Sequence, residues 1–363
     1  MKKTLRTPIR NHLASMIHIR ETERLWHFPV LAGLCIGVCL FAGWYFQDQS
    51  YGNLASIGAL TILYFTHASL EKRMIHLIVC AFGMMVAFST SLLFSFNPYW
   101  SAISLFFIAV LTHWLCGYFD IPPPRNFFFI MVAAVATNLP FSIELLPIRI
   151  GVFTLGAMAS VFLAFIYSVF IAKSTVHIPR VRPRRNRYII TAESLIVGAA
   201  VSLALLLGYA VDPQSPYWIP VSTLAVLQGR NLTHTTERNI HRVVGTFIGI
   251  GLTWILILLK LQPLVLVFVI ALLQIIIELL IVRNYFFAVI FITPLTILLA
   301  ESGLGSGASH NALMWARLLD SFMGACIGLA AGAVLHHKGF MAWFEKQLRL
   351  LKLYRKFLEH ERH

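Results

Sequence analysis

Arg125-Asn126-Phe127-Phe128 and Arg283-Asn284-Tyr285-Phe286 are two versions of one short segment, each a basic residue and an amide followed by aromatics. The likeness continues outward on both sides. Tyr51, Glu71 and Gly83 recur as Tyr217, Glu237 and Gly249, each 166 residues further on. Arg149 and Gly156 stand seven residues apart, as do Arg317 and Gly324. The two halves of the chain therefore read as copies, and both are built mainly of apolar, membrane-helix-like stretches. A duplicated membrane domain creates an interface about a pseudo-twofold axis, a natural place for a solute path. A transporter is the first function class this pattern suggests.

Composition agrees with a membrane location. The chain is 58% hydrophobic and 12% charged, against roughly 25% charged in a soluble domain. Long apolar runs alternate with short polar breaks, whereas a soluble helical protein would carry a charged face along each helix. The net charge of +14 does not point to nucleic acid, because the basic residues flank apolar segments, where anionic headgroups attract them. The stretch through Arg24 is basic and polar, so no cleavable signal peptide is expected. Cys35, Cys39, Cys80, Cys116 and Cys326 all fall in apolar segments. Although Cys35 and Cys39 are one helical turn apart, buried thiols usually act as small apolar side chains. The sequence has no paired-cysteine zinc spacing, no phosphate-binding Gly-Lys-Ser/Thr loop and no nucleophile–base–acid set. No metal or other cofactor is expected, and no enzyme.

The expected fold is an all-α polytopic membrane protein of about twelve transmembrane helices in two parallel six-helix repeats, with an amphipathic C-terminal helix. The first half gives spans at 28–46, 52–66, 74–96, 99–118, 126–141 and 148–171. The second gives 190–211, 216–229, 241–259, 263–282, 284–300 and 313–335. Segments 52–66 and 216–229 are short for the roughly 20 residues that a straight crossing needs, and a short element at matching places points to the binding region. An even helix count per half gives both copies the same orientation. The chain then divides into a basic arm at 1–27, a first repeat at 28–172, a basic linker at 173–188, a second repeat at 189–335 and a tail at 336–363.

Basic residues set the orientation. With the N-terminus in the cytoplasm, the arm, the loops at 67–73 and 229–242, the 118–126 turn, the linker and the tail are all inside. Only Arg149, Lys260 and Arg317 remain outside. The linker carries Arg180, Arg182, Arg184, Arg185 and Arg187. In the tail, Phe340, Trp343, Phe344, Leu348, Leu351, Tyr354 and Leu358 recur at helical spacing among Lys and Arg, as in an interfacial helix. Docking of a partner is the other reading of that tail.

Three stretches of the second half carry a resemblance. They are Tyr217-Trp218-Ile219-Pro220 through Leu227-Gln228, Glu237-Arg238 and His241-Arg242-Val243-Val244-Gly245-Thr246; Arg283-Asn284-Tyr285 through Thr293-Pro294-Leu295; and Arg317-Leu318-Leu319-Asp320 through Gly324. Together they resemble the fusaric acid resistance (FUSC) family, with a degenerate copy in the first half. The family includes aromatic carboxylic acid exporters of bacterial inner membranes and is distantly similar to plant aluminium-activated malate transporters. The resemblance implies export of aromatic or other small organic acids from a bacterial cell. Many members also carry a large soluble cytoplasmic region, which this chain is expected to lack.

Basic residues near membrane depth are costly and usually face a cavity or a partner. Arg238, Arg242 and Arg283, with the first-half residues Lys72, Arg73 and Arg125, are candidates for a positive ring that collects an organic anion, since arginine grips carboxylates bidentately. Gln228, Asn284 and Asn126 add polar groups beside them. The plainer reading is that these cations obey the positive-inside rule and pair with Glu71, Glu237 and phospholipid. Asp320, Glu278, Glu193 and His113 are the intramembrane groups able to carry protons, or else simply partners in structural pairs; Asp320 lies one turn from Arg317, within reach of an ion pair. Four-residue glycine spacings, as at Gly245 and Gly249, suit close helix packing.

The expected function is export of small organic or aromatic carboxylates across the bacterial inner membrane, driven by the proton gradient or membrane potential, with both termini cytoplasmic. A passive organic-anion channel is the alternative within transport, and an intramembrane lipid-handling protein is the alternative outside it. Expected partners are the anion substrate and membrane lipids, with no nucleic acid; a homodimer is left open.

Overall fold

In hydrocarbon a backbone can satisfy its polar groups only within itself, so apolar runs close into helices. The computed structural model describes residues 21–22, 24–66, 68–170, 186–229, 231–304 and 310–360, with side chains described outside 300–313 and 351–360. Among the described residues there are helices and turns and no strand. The first six α-helices are α1 Phe28–Tyr45, α2 Gln49–Ala59, α3 Leu70–Leu93, α4 Pro98–Tyr118, α5 Phe127–Thr137 and α6 Leu146–Phe170. The rest are α7 Arg187–Val211, α8 Trp218–Leu227, α9 Leu232–Leu258, α10 Pro263–Leu280, α11 Tyr285–Leu304, α12 His310–His336 and α13 Lys338–His360.

Local chemistry sets several starts. Asp48, Asn97, Asn186 and Asn231 each accept a backbone N–H from the first turn of α2, α4, α7 and α9. Pro98 and Pro263 fill first-turn positions where no N–H is needed. The Asn231 cap explains why α9 starts nine residues before the expected 241: the polar stretch after it is helical, with Thr235, His241 and Arg242 turned inward. Hydropathy cannot see a helix whose buried face is polar.

Among the described residues, eight helices are long and apolar enough to cross a membrane: α1, α3, α4, α6, α7, α9, α10 and, over Met314–His336, α12. The protein is thus a polytopic helical membrane protein. Shorter apolar helices are α5, α8 and, over Tyr285–Leu299, α11. Helix α2 has 11 residues and runs on into a 3-10 turn at Leu60–Tyr64. The fifth helix of the first half is shorter than the expected 126–141. Its end tightens where the N–H groups of Asn138 and Leu139 bond to Val135 and Ala136, just before Pro140, which restricts the residue ahead of it.

The packing partners come in pairs. Within the first half α2 packs on α1 and α6, and α3 on α5 and α6; within the second α8 packs on α7 and α12, and α9 on α11 and α12. Between the halves α1 packs on α10 and α4 on α7, while α2 touches α11 and α5 touches α8. Glycine makes the α2–α6 and α8–α12 approaches possible. A Cβ at Gly156 would stand 1.9 Å from the Ala55 carbonyl oxygen, and one at Gly324 2.5 Å from that of Ile219. Large apolar side chains such as Phe82, Leu155, Phe247 and Phe268 remain exposed on the outer faces, as lipid contact requires.

The tail helix α13 leans on α7. Glu345 accepts from Asn186 and Arg349, and the Arg349 guanidinium lies 5.2 Å from the Tyr188 ring centroid. Phe340, Trp343 and Phe344 form one aromatic group beside it. The arm through residue 20 and the linker arginines Arg180, Arg182, Arg184 and Arg185 lie outside the described residues, as do the side chains of Leu351, Tyr354 and Leu358.

Candidate functional site

Helices α8, α9 and α12 meet around Gly324 and bring charged side chains together inside the second half. Thr223 Oγ1 donates to the Gly324 carbonyl at 3.0 Å, which fixes α8 against α12. From α9, Arg242 is buried and its Nη2 donates to Ser222 Oγ on α8 at 3.0 Å. One turn earlier, Arg238 Nε donates to the Ala225 carbonyl at 2.9 Å, and its guanidinium lies 4.0 Å from the Tyr285 ring centroid. Arg317 on α12 is 2% exposed and lies 3.7 Å from the Trp218 ring centroid. Asp320, one turn further on, is 0% exposed.

Several of these groups are buried without hydrogen-bond partners among the described residues: Arg317 Nε and Nη1, Arg242 Nε, both oxygens of Asp320, Thr246 Oγ1 and Ser321 Oγ. Arg317 is within electrostatic reach of Arg242, Asp320, Tyr217 and Tyr285. The pair Arg317 and Asp320 is therefore coupled through space, but the carboxylate makes no hydrogen bond and no ion-pair contact in the described set, unlike the intrahelical pair expected from their spacing. Arg317 is the cation coupled to Asp320, and Asp212 is a second carboxylate within electrostatic reach of Asp320. Buried donors and charges left unmatched are expensive, and a planar anion that accepts from paired N–H groups is the chemistry that settles them.

Arg317 itself was not legible as a member of this site, since its place near a helix start suggested an outer boundary. Its only signals were the seven-residue spacing to Gly324, which puts both residues on the face turned to α8, and the neighbouring Asp320.

The other sequence candidates take different positions. Arg73 is buried, but its Nε and Nη2 donate to the Thr66 and Ala68 carbonyls at 2.8 Å, closing the turn ahead of α3. Arg283 and Arg125 are exposed at the heads of α11 and α5. Asn284 accepts from the Phe286 N–H at 2.8 Å, and Gln228 is half-buried at the end of α8. Glu278 on α10 pairs with Arg24 at 2.9 Å and accepts from Gln274 Nε2 at 3.3 Å. His113 on α4 lies between Glu193 of α7, at 3.9 Å, and Asn126, at 3.2 Å. Of the expected cations, only Arg238 and Arg242 join Arg317 and Asp320.

Comparison with known proteins finds a family match over this part of the chain. Residues 202–331, which hold α8 to α12 almost entirely, match the fusaric acid resistance protein-like family. The chain is also 39% identical over 141 residues to the uncharacterized membrane protein YvaC of Bacillus subtilis (strain 168), a stretch covering 39% of this chain. That stretch is 22% of the relative's length, so the chain spans about a fifth of the curated protein it matches. No solved structure matches the chain. The stretch similar to that family includes the charged cluster.

Proposed function

We propose that this fusaric acid resistance-like membrane protein moves small organic carboxylates, aromatic ones included, outward across a bacterial inner membrane. The observation that carries this reading is the row of Arg238, Arg242 and Arg317 against Ala225, Ser222 and Trp218 of α8, with unpartnered buried N–H groups on Arg242 and Arg317. A substrate carboxylate would take the Arg242 and Arg317 N–H groups, and the apolar helices around would accept its hydrocarbon part. In this reading all twelve helices from α1 to α12 traverse the bilayer as two parallel six-helix repeats, with the termini and basic loops inside. The paired packing of α1 on α10 and of α4 on α7 supports that arrangement, because a twofold axis along the membrane normal exchanges the two contacts. The short helices α2, α5, α8 and α11 then surround the axis, and the charged cluster opens from beside α8. Energy comes from the proton gradient or the membrane potential.

Counterflow of labelled benzoate into proteoliposomes tests the site. The double variant Arg238→Ala, Arg242→Ala is expected to lose at least about tenfold in flux, the equivalent of about 1.4 kcal/mol of lost binding. Unchanged flux in a folded double variant would sink the site.

A further inference from the structure

The two seams between the halves are closed by polar pairs of different chemistry. Where α1 meets α10, Arg24, just ahead of α1, holds Glu278 at 2.9 Å, and its Nη1 also reaches the Glu278 carbonyl. Where α4 meets α7, His113 faces Glu193 at 3.9 Å. An arginine keeps its charge at any working pH, but an imidazole does not. The first seam is therefore held by a permanent cation and the second by one that can come and go.

The setting of His113 suits a group that gains and loses a proton. Its side chain is 19% exposed and that of Glu193 13%, so both are mostly enclosed. Asn126 Nδ2 stands 3.2 Å from His113 Nδ1. With the amide so placed, Nδ1 accepts, and the neutral ring carries its hydrogen on Nε2, toward the Glu193 carboxylate. A proton taken from water onto Nδ1 turns the ring into a donor on both sides. Asn126 meets that change by turning its amide over, so that Oδ1 accepts. The added positive charge sits beside a carboxylate, and the pair becomes neutral overall.

Other charged or titratable groups on the surrounding elements are Arg187 and Tyr118, joined at 3.3 Å, Cys116 on α4, Tyr188 on α7, Asp120 and Arg125 in the turn after α4, and Glu71, Lys72, Arg73, His76 and Cys80 on α3. Arg349 and Glu345 of α13 lie at the head of α7. Within that set, Glu193 is the carboxylate found against the His113 ring.

We propose that His113, Glu193 and Asn126 form a proton-binding site on the seam between the halves, and that its occupancy sets the rate of anion movement. The coupling rests on the transport reading above; the proton site does not. Because α7 leads directly into α8, which holds Ser222 against Arg242, loosening the α4–α7 seam reaches the charged cluster through one connection.

Two measurements on the full chain in nanodiscs and proteoliposomes test this. First, ring signals of isotope-labelled histidine are followed from about pH 5 to pH 8. One titrating signal is expected to vanish in His113→Gln. Its response to pH is expected to change in Glu193→Gln, where the imidazolium loses its counter-charge, and in Asn126→Leu, which cannot present an acceptor. A His113 ring that does not titrate in this range, or midpoints that stay put in both variants, overturns the site. Second, benzoate counterflow is measured over the same range. Wild-type flux is expected to follow the His113 midpoint and to lose that dependence in His113→Gln, while Glu278→Gln keeps it. A profile unchanged in His113→Gln overturns the coupling. If the ring titrates as stated but no carboxylate moves at any pH, the proton site stands and the transport reading fails.

Discussion

The two halves place opposite materials at corresponding positions. In the second, α12 carries Arg317, Asp320 and Ser321 ahead of Gly324, and all three are buried against α8 and α9. In the first, 168 residues earlier, Arg149, Val152 and Phe153 stand ahead of Gly156. There Arg149 turns to the Pro140 carbonyl, and Phe153 stacks on Phe88 with centroids 4.4 Å apart and planes 5° from parallel. Arg242 has His76 as its counterpart 166 residues earlier, and Ser222 has Ser56, whose hydroxyl donates to Asn53 in its own helix at 2.7 Å. The helix–helix framework is thus filled once with stacked aromatics and once with charge. An aromatic filling stabilises at no desolvation cost, whereas buried charge is retained at a cost, which is why the proposed site is put in the second half.

This contrast can be broken most sharply at Arg317. Replacing it with Leu leaves Asp320 buried without its nearest cation, and a loss of about 3–5 kcal/mol in thermal or denaturant unfolding is expected. The double variant Arg317→Leu, Asp320→Leu should recover most of that stability while benzoate flux stays low. Stability lost equally in both variants would mean that the pair does not interact. Phe153→Ala is expected to cost about 3–5 kcal/mol through the cavity it leaves, yet flux per folded molecule should hold. A lower flux there would make the first half part of the path. Gly156→Val and Gly324→Val should each cost about 1–3 kcal/mol or more, since the new side chain meets backbone rather than a movable side chain. Equal losses would match the shared framework. Arg125→Ala and Arg283→Ala change exposed residues and should stay within about 0.5 kcal/mol, with flux little altered.

The sequence pattern announced the framework more clearly than the site. The apolar runs located every helix from α1 to α12, because hydrocarbon leaves the backbone no alternative, whereas the close contact at Gly156 was not read from its spacing. Helix starts in polar sequence were less visible: α9 begins at Leu232 because of one asparagine cap and a buried polar face. Cations were harder still. Arg73, Arg242 and Arg283 look alike in sequence, yet one closes a turn, one enters the cluster and one is exposed. Depth and rotation about the helix axis decide among them, and both are set by tertiary packing. The acids divided for the same reason: Glu278 found Arg24 and Glu193 found His113 across seams between distant segments.

The central claim is that the second half holds the anion and the first does not. Binding of labelled benzoate to purified protein in nanodiscs tests it most directly, comparing Arg242→Ala with the paired first-half change His76→Ala. The account predicts that binding weakens at least about tenfold in Arg242→Ala, a loss of about 1.4 kcal/mol, and is unchanged in His76→Ala. Equal binding by wild type and a folded Arg242→Ala protein would contradict it.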